Sequence, residues 1–270
     1  MSNRSPEGHS DWFMRRRTSD AGDPRPSVRQ LETSLARRAD GTFVLDDLDT
    51  LPLGAKRYLA AAIAPGTPLA RTAHLVMRGE IKLRGRWLGF RANQVLTPQV
   101  GFVWAARVAR IVTGSDQYVS GRGWMSWKVA GLWSVADVEG PDVSRSGAGR
   151  CAGETCWLPS MWLSRFGATW TEEDRTHLTV RTTHDGHEVA CRLHLDDDDR
   201  IRTLVVDRWG DPDETGVFEK HPFGMDVTAT ATFSALTVPS EGRVGWFHVT
   251  PRWSEGEFFR FRITALRPAA

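Results

Sequence analysis

Apolar and polar residues alternate with a period of two over most of the chain. Ala73, Leu75, Met77, Ile81 and Leu83 are interleaved with His74, Arg78, Glu80, Lys82 and Arg84, the pattern of a strand with one wet face. Gly85 turns the chain into a second strand over 87–96, and Thr97-Pro98-Gln99 leads into an apolar run over 102–112. Segments 117–119 and 124–129, parted by Gly121-Arg122-Gly123, extend the meander, with Trp124 and Trp127 on opposite faces. After Trp170 the alternation returns over 178–181, 189–195 and 201–208. Asp185-Gly186 between the first two is a strong hairpin signal, and Asp196 to Asp199 read as a turn. Further strands fall at 227–235, 244–249 and 258–266, roughly ten in all.

Helical spacing occurs in three places. Ser27 can cap a helix over 28–38, where Val28, Leu31 and Leu35 share a face before Gly41. Leu53, Tyr58, Leu59, Ala62 and Ile63 fit a helix over 52–63, with Pro52 in the first turn and Pro65-Gly66 as the stop. Between 140 and 166 small residues replace the alternation, and the run from Gly149 to Leu158 supports a helix over 147–163 that Pro159 bends or ends. The expected fold is mainly β (α+β): a strongly curved antiparallel sheet or half-barrel with N-terminal helices and one internal helical insertion to plug its concave side. Residues 1–26, polar and rich in Ser, Arg, Asp, Gly and Pro, read as a disordered arm before a single β-rich domain over 27–270.

Composition narrows the function classes. The 35 Lys and Arg nearly balance 33 Asp and Glu, giving a net charge of +2 and no bulk attraction for polyanions; no nucleic-acid partner is expected. Cys151, Cys156 and Cys191 lack zinc spacing and read as reduced thiols. Residues 1–22 lack the apolar run of a signal peptide, and no stretch is apolar enough to span a membrane, so the expected compartment is the cytoplasm. The unusual quantity is twelve Trp beside twelve Phe and two Tyr. Indole suits surfaces that are apolar but partly wet, as in pockets and interfaces, although packing of a broad sheet also uses it.

A set of landmarks resembles an uncharacterised bacterial family, a domain of unknown function. They are Leu51-Pro52 with Arg57-Tyr58-Leu59, Gly101-Phe102-Val103-Trp104, Glu154 with Trp157-Leu158-Pro159, Trp170, Asp207-Arg208, His221-Pro222-Phe223, and Val238-Pro239 ahead of Trp246. The resemblance covers about residues 50 to 266 and implies no activity. The β-rich pattern is also similar to the open half-barrel of bacterial lipoprotein carriers and related lipid-binding folds, a likeness of fold alone.

Six residues stand out as ligand-binding candidates: Glu154, Arg208, Trp104, Trp157, Trp246 and His221. Glu154 lies among apolar neighbours, where burial raises a carboxyl pKa; it is either an acid–base group or one half of an ion pair with Arg208. Arg208 shares strand parity with Leu204 and Val206, so it faces inward and needs an anion, from Glu154 or from a ligand carboxylate. His221 precedes Pro222 and either faces a pocket or caps a loop. His184 and His187 bracket a turn with no third ligand, and Asp196 to Asp199 lack a calcium loop's spacing, so no metal is expected. No nucleophile elbow or phosphate loop is present, and no cofactor is expected. Trp253, Phe258, Phe259 and Phe261 alternate with Arg252, Arg260 and Arg262, which two sheet faces explain. The leading reading is a non-enzymatic module binding a small apolar or lipid-like ligand in a Trp-lined concavity. The alternatives are an enzyme using Glu154 as general acid or base, and an interaction scaffold.

Overall fold

The computed structural model describes residues 27–36 and 39–269. The arm expected over 1–26, and positions 37 and 38 of the first expected helix, lie outside the described residues.

Thirteen strands form one antiparallel sheet: β1 (Ala73–Leu83), β2 (Arg86–Thr97), β3 (Gly101–Val108), β4 (Val112–Val119), β5 (Arg122–Val129), β6 (Trp133–Glu139), β7 (Thr169–Glu172), β8 (His177–His184), β9 (His187–Leu195), β10 (Ile201–Gly210), β11 (Glu219–Phe233), β12 (Leu236–Trp246) and β13 (Glu257–Pro268). Their spatial order is β6-β5-β4-β3-β2-β1-β13-β12-β11-β10-β9-β8-β7. Two meanders are therefore joined by the pairing of β1 with β13, which runs from Ala73↔Pro268 to Ile81↔Phe259. The sheet is open, with β6 and β7 at its edges.

The strand count exceeds the roughly ten that periodicity gives, for local reasons. The apolar run 102–112 is two strands, split by a turn in which Ala109 and Arg110 hold φ of 46° and 64°. Neither is glycine, and left-handed backbone is costly for other residues, so composition does not announce the turn. The edge strand β6 buries only Ala136 and leaves its other residues exposed or half-exposed, so it lacks clean alternation.

The helices longer than one turn are α1 (Val28–Leu35), α2 (Leu53–Ala62) and α3 (Pro141–Glu154). At α1 Ser27 and Gln30 form a reciprocal capping box. Its Leu31 and Leu35 cover Val95, Val103 and Trp124 on the sheet's outer face. Trp127 belongs to the main core on the other face, as the parity of the two indoles requires. Pro52 cannot cap α2 with a side chain; the Glu172 carboxylate instead accepts from the Gly54 N–H at 3.0 Å. The inserted helix begins at Pro141, earlier than its small residues indicate, because Gly140 and Pro141 make an N-terminus. It ends at Glu154 and gives way to short 3-10 turns through Phe166. Among the described residues, no helix is long and apolar enough to cross a membrane.

Curvature follows from what α3 touches. It packs on β8, β9 and β10 of one meander and on β3, β4, β5 and β6 of the other, strands far apart in sheet order. A helix is about 10–12 Å across, so both arms must wrap around it. At their rim the Tyr118 hydroxyl on β4 donates to Asp185 between β8 and β9 at 2.7 Å.

Candidate functional site

The small residues of α3 let it lie low between the arms. A Cβ at Gly147 would stand 2.8 Å from the Tyr118 ring, and one at Gly149 would stand 3.1 Å from Arg208 Cγ. Beside these glycines the helix, the inner face of the sheet and the β12–β13 region enclose a cavity of about 210 Å3. Its walls include Phe102, Trp104, Trp157, Leu204, Phe223, Trp246, Phe259 and Phe261, and its polar residues include Asp116, Arg150, Glu154 and Arg208.

The two inner arginines differ in kind. Arg150 donates from Nε to Glu154 at 2.7 Å, one helical turn on, and from a terminal nitrogen to Asp116 at 3.0 Å. Glu154 accepts again from Gln94 at 2.5 Å, and Asp116 from the Trp127 indole N–H at 2.9 Å. Burial works against the Arg150 charge, but Glu154 and Asp116 outweigh it and raise its pKa. Glu154 therefore pairs with Arg150 and not with Arg208. Both its oxygens are engaged, which leaves it little capacity to act as a general base.

Arg208 projects inward from β10. Its Nε donates to the Ser146 carbonyl of α3 at 3.1 Å, and its guanidinium carbon lies 4.5 Å from the Phe223 ring centre and 5.2 Å from that of Trp246. Among the described residues, no carboxylate lies within 4.0 Å of it. Its pKa is pushed down to about 9, first by burial and then by the Arg150 charge, against the pull of Glu154 and Asp116. This cation has its faces packed against rings and its terminal N–H groups without an anionic partner.

Trp104, Trp157, Trp246, Glu154 and Arg208 thus meet at one cavity, whereas His221 does not line it. Although His221 is the Cα partner of Arg208, its ring stands edge-on to Trp246 and Phe247, and Glu219 lies 3.6 Å away. Trp104 donates to the Met77 sulfur at 3.3 Å and Trp157 to the Pro239 carbonyl at 3.1 Å, so each indole is fixed with its apolar face free to form wall.

Sequence reasoning overlooked Arg150, Asp116 and Gln94. The i,i+4 spacing of Arg150 and Glu154 was a readable signal. Asp116 and Gln94 interrupt apolar rows of their strands, and their pairing depends on the curl of the sheet. His184, which the sequence places beside a hairpin turn, is buried at 4% exposure, because its arm folds back onto the other. Burial pushes its pKa down to about 4. Among the described residues, no group of three His, Cys, Asp or Glu side chains is placed to hold a metal. The three thiols are unpaired and buried, and burial raises the pKa of each.

Two solved structures are similar at low level. A DUF1329 family protein from Desulfovibrio piger aligns with a TM-score of 0.37 and 8% identity over 80% of this chain and 91% of its own. A putative outer membrane lipoprotein-sorting protein domain from Vibrio parahaemolyticus gives 0.35 and 8%, over 79% and 90%. No curated protein matches the sequence. The profile of one family matches residues 41–258, a span that takes in β1 to β12, α2, α3 and the cavity residues named above except Phe259 and Phe261. The chain therefore belongs to the family of unknown function DUF6544.

Proposed function

We propose that the cavity binds a small amphipathic acid, its anionic head on Arg208 and its apolar part against Trp104, Trp157, Trp246 and Phe261. The observation that carries this reading is the Arg208 guanidinium, held on a cavity wall by Ser146, Phe223 and Trp246 with no carboxylate in reach among the described residues. A charge that is only half-exposed is costly to leave unpaired, and a ligand carboxylate supplies the missing partner bidentately. Arg150 cannot compete for that ligand, since Glu154 and Asp116 already occupy it.

The size of the cavity limits the ligand. About 210 Å3 is below the roughly 300–1,000 Å3 of drug-sized pockets. This makes a short-chain acid, or the head and first carbons of a longer one, the fitting class.

Titration calorimetry with hexanoate and with 1-hexanol tests the reading. Hexanoate should bind at least about tenfold more tightly than the alcohol, a difference of about 1.4 kcal/mol, and Arg208→Met should erase that preference. Equal affinity for acid and alcohol, or a preference that survives Arg208→Met, would refute it.

A further inference from the structure

The antiparallel meander brings three turns to one end of the sheet: those after β1 at 84–85, after β3 at 109–111 and after β5 at 130–132. Hairpin tips are ordinarily polar, yet two of these present large apolar side chains to solvent. Ile111 is 59% exposed, Leu132 76% and Trp133 66%. Around them Arg84, Arg86, Arg110 and Lys128 are also exposed, and segments 83–91, 105–115 and 126–136 contain no carboxylate.

The outer face behind the tips carries the same charge. Arg107, Arg91, Arg78 and Arg262 are successive Cα partners across β3, β2, β1 and β13, four guanidinium groups in a row at a strand spacing of about 4.8 Å. Like charges placed directly opposite destabilise a sheet. Glu241 bonds Arg262 at 2.9 Å, but among the described residues no carboxylate pairs with Arg78, Arg91 or Arg107. Glu80, on the same face, pairs with Arg260 at 3.6 Å, so three of the four arginines of the row are left without an anion among the described residues.

Apolar tips backed by unbalanced cations limit the candidate partners. A second copy of this chain would bring the same charge to the contact. Single-stranded nucleic acid stacks its bases on a series of aromatic platforms; of the three exposed apolar tip residues only Trp133 is aromatic, Trp87 on the outer face is covered by Arg260 at 4.0 Å, and next to the row stand Val76, Asn93, Ala105 and Thr264. An anionic bilayer surface uses every part: Trp favours the headgroup level, Leu and Ile the acyl boundary, and Arg and Lys the phosphates.

We infer that this end of the sheet docks on the surface of an anionic lipid bilayer, with Ile111, Leu132 and Trp133 entering the interface and Arg86, Arg110, Lys128 and the arginine row facing headgroup phosphates. The cavity residues Ile81 and Phe259, themselves Cα partners, come from this same end, so docking brings the cavity close to the bilayer. The docking surface rests on exposed residues alone and stands whether or not the cavity binds an acid.

The test is co-sedimentation of the full chain with vesicles of phosphatidylcholine and of equimolar phosphatidylcholine and phosphatidylglycerol. The protein should pellet with the mixed vesicles and not with the neutral ones, and added salt should weaken the binding. The double variants Leu132→Ser/Trp133→Ser and Arg110→Glu/Lys128→Glu change exposed side chains only, so they should melt like the wild type while binding the mixed vesicles roughly tenfold or more weakly. Arg208→Met should bind vesicles as the wild type does, which separates this result from the fate of the cavity. Failure to pellet with mixed vesicles would overturn the inference. So would undiminished binding by both double variants, because Arg15, Arg16 and Arg17 of the N-terminal segment would then suffice for the attraction.

Discussion

Arg150 and Arg208 line one cavity, but their environments predict opposite responses to the same substitution. Removing Arg150 leaves Glu154 and Asp116, each less than a fifth exposed, without their counter-ion; breaking such a pair costs about 3–5 kcal/mol. Arg150→Met should therefore lower stability by that order in urea unfolding. Arg208→Met removes a half-buried cation that has no carboxylate within 4.0 Å among the described residues, and it should cost under about 1 kcal/mol or stabilise the fold. His184 gives a third single-residue prediction. Its pKa falls from 6.5 in the unfolded chain to about 4 in the fold, so between these values the unfolded state binds more protons. The stabilisation is complete above about pH 6.5 and is lost as pH falls towards 4, by up to about 3 kcal/mol. Urea midpoints at several pH values across that window should show the loss, and His184→Gln should flatten it. At this scale the sequence was informative about polarity and uninformative about partners. The strand parity of Arg208 with Leu204 and Val206 placed it inside, whereas the choice between Glu154 and a vacant site depended on Arg150 reaching Glu154 first along the helix.

Among the elements, α3 sets the geometry of the cavity through its glycines. A methyl group on Gly147 would press on the Tyr118 ring at 2.8 Å, and overpacking of this kind costs about 1–3 kcal/mol. Gly147→Ala should lower the unfolding midpoint accordingly, while Gly153→Ala, whose Cβ would meet Leu204 at 3.6 Å, should be tolerated and gain some helix propensity. The small-residue composition of this segment was visible as a change in character between 140 and 166, but its start was not. The start depends on Gly140 and Pro141, and Ser144 fixes it by donating to the Gly140 carbonyl while accepting from the Gly123 N–H. The strands were legible wherever one face is wet, as in β1 and β9. They were illegible where a turn lacks glycine, as at Ala109-Arg110, and where an edge strand such as β6 buries only Ala136 and so imposes no period.

In the whole molecule, two meanders close on a helix, and the junction that makes them one sheet is the pairing of β1 with β13. No local pattern announces that pairing, because its partners lie far apart in sequence and their register is set by which faces are buried. The curl that it permits turns a row of indoles into a wall and brings Arg208 opposite α3, while the Tyr118–Asp185 hydrogen bond ties the arms at the rim. Trp104, Trp157 and Trp246 were recognisable as an excess of indole, and their meeting around one space is a property of the closed arms. The central claim is that this space is open and takes an acid at Arg208. A crystal structure with 6-bromohexanoate tests it directly. The account predicts a carboxylate in contact with the Arg208 terminal nitrogens and an anomalous bromine peak among Trp104, Trp157 and Phe261. A cavity filled by side chains, or bromine found only outside it with Arg208 unoccupied, would contradict the account.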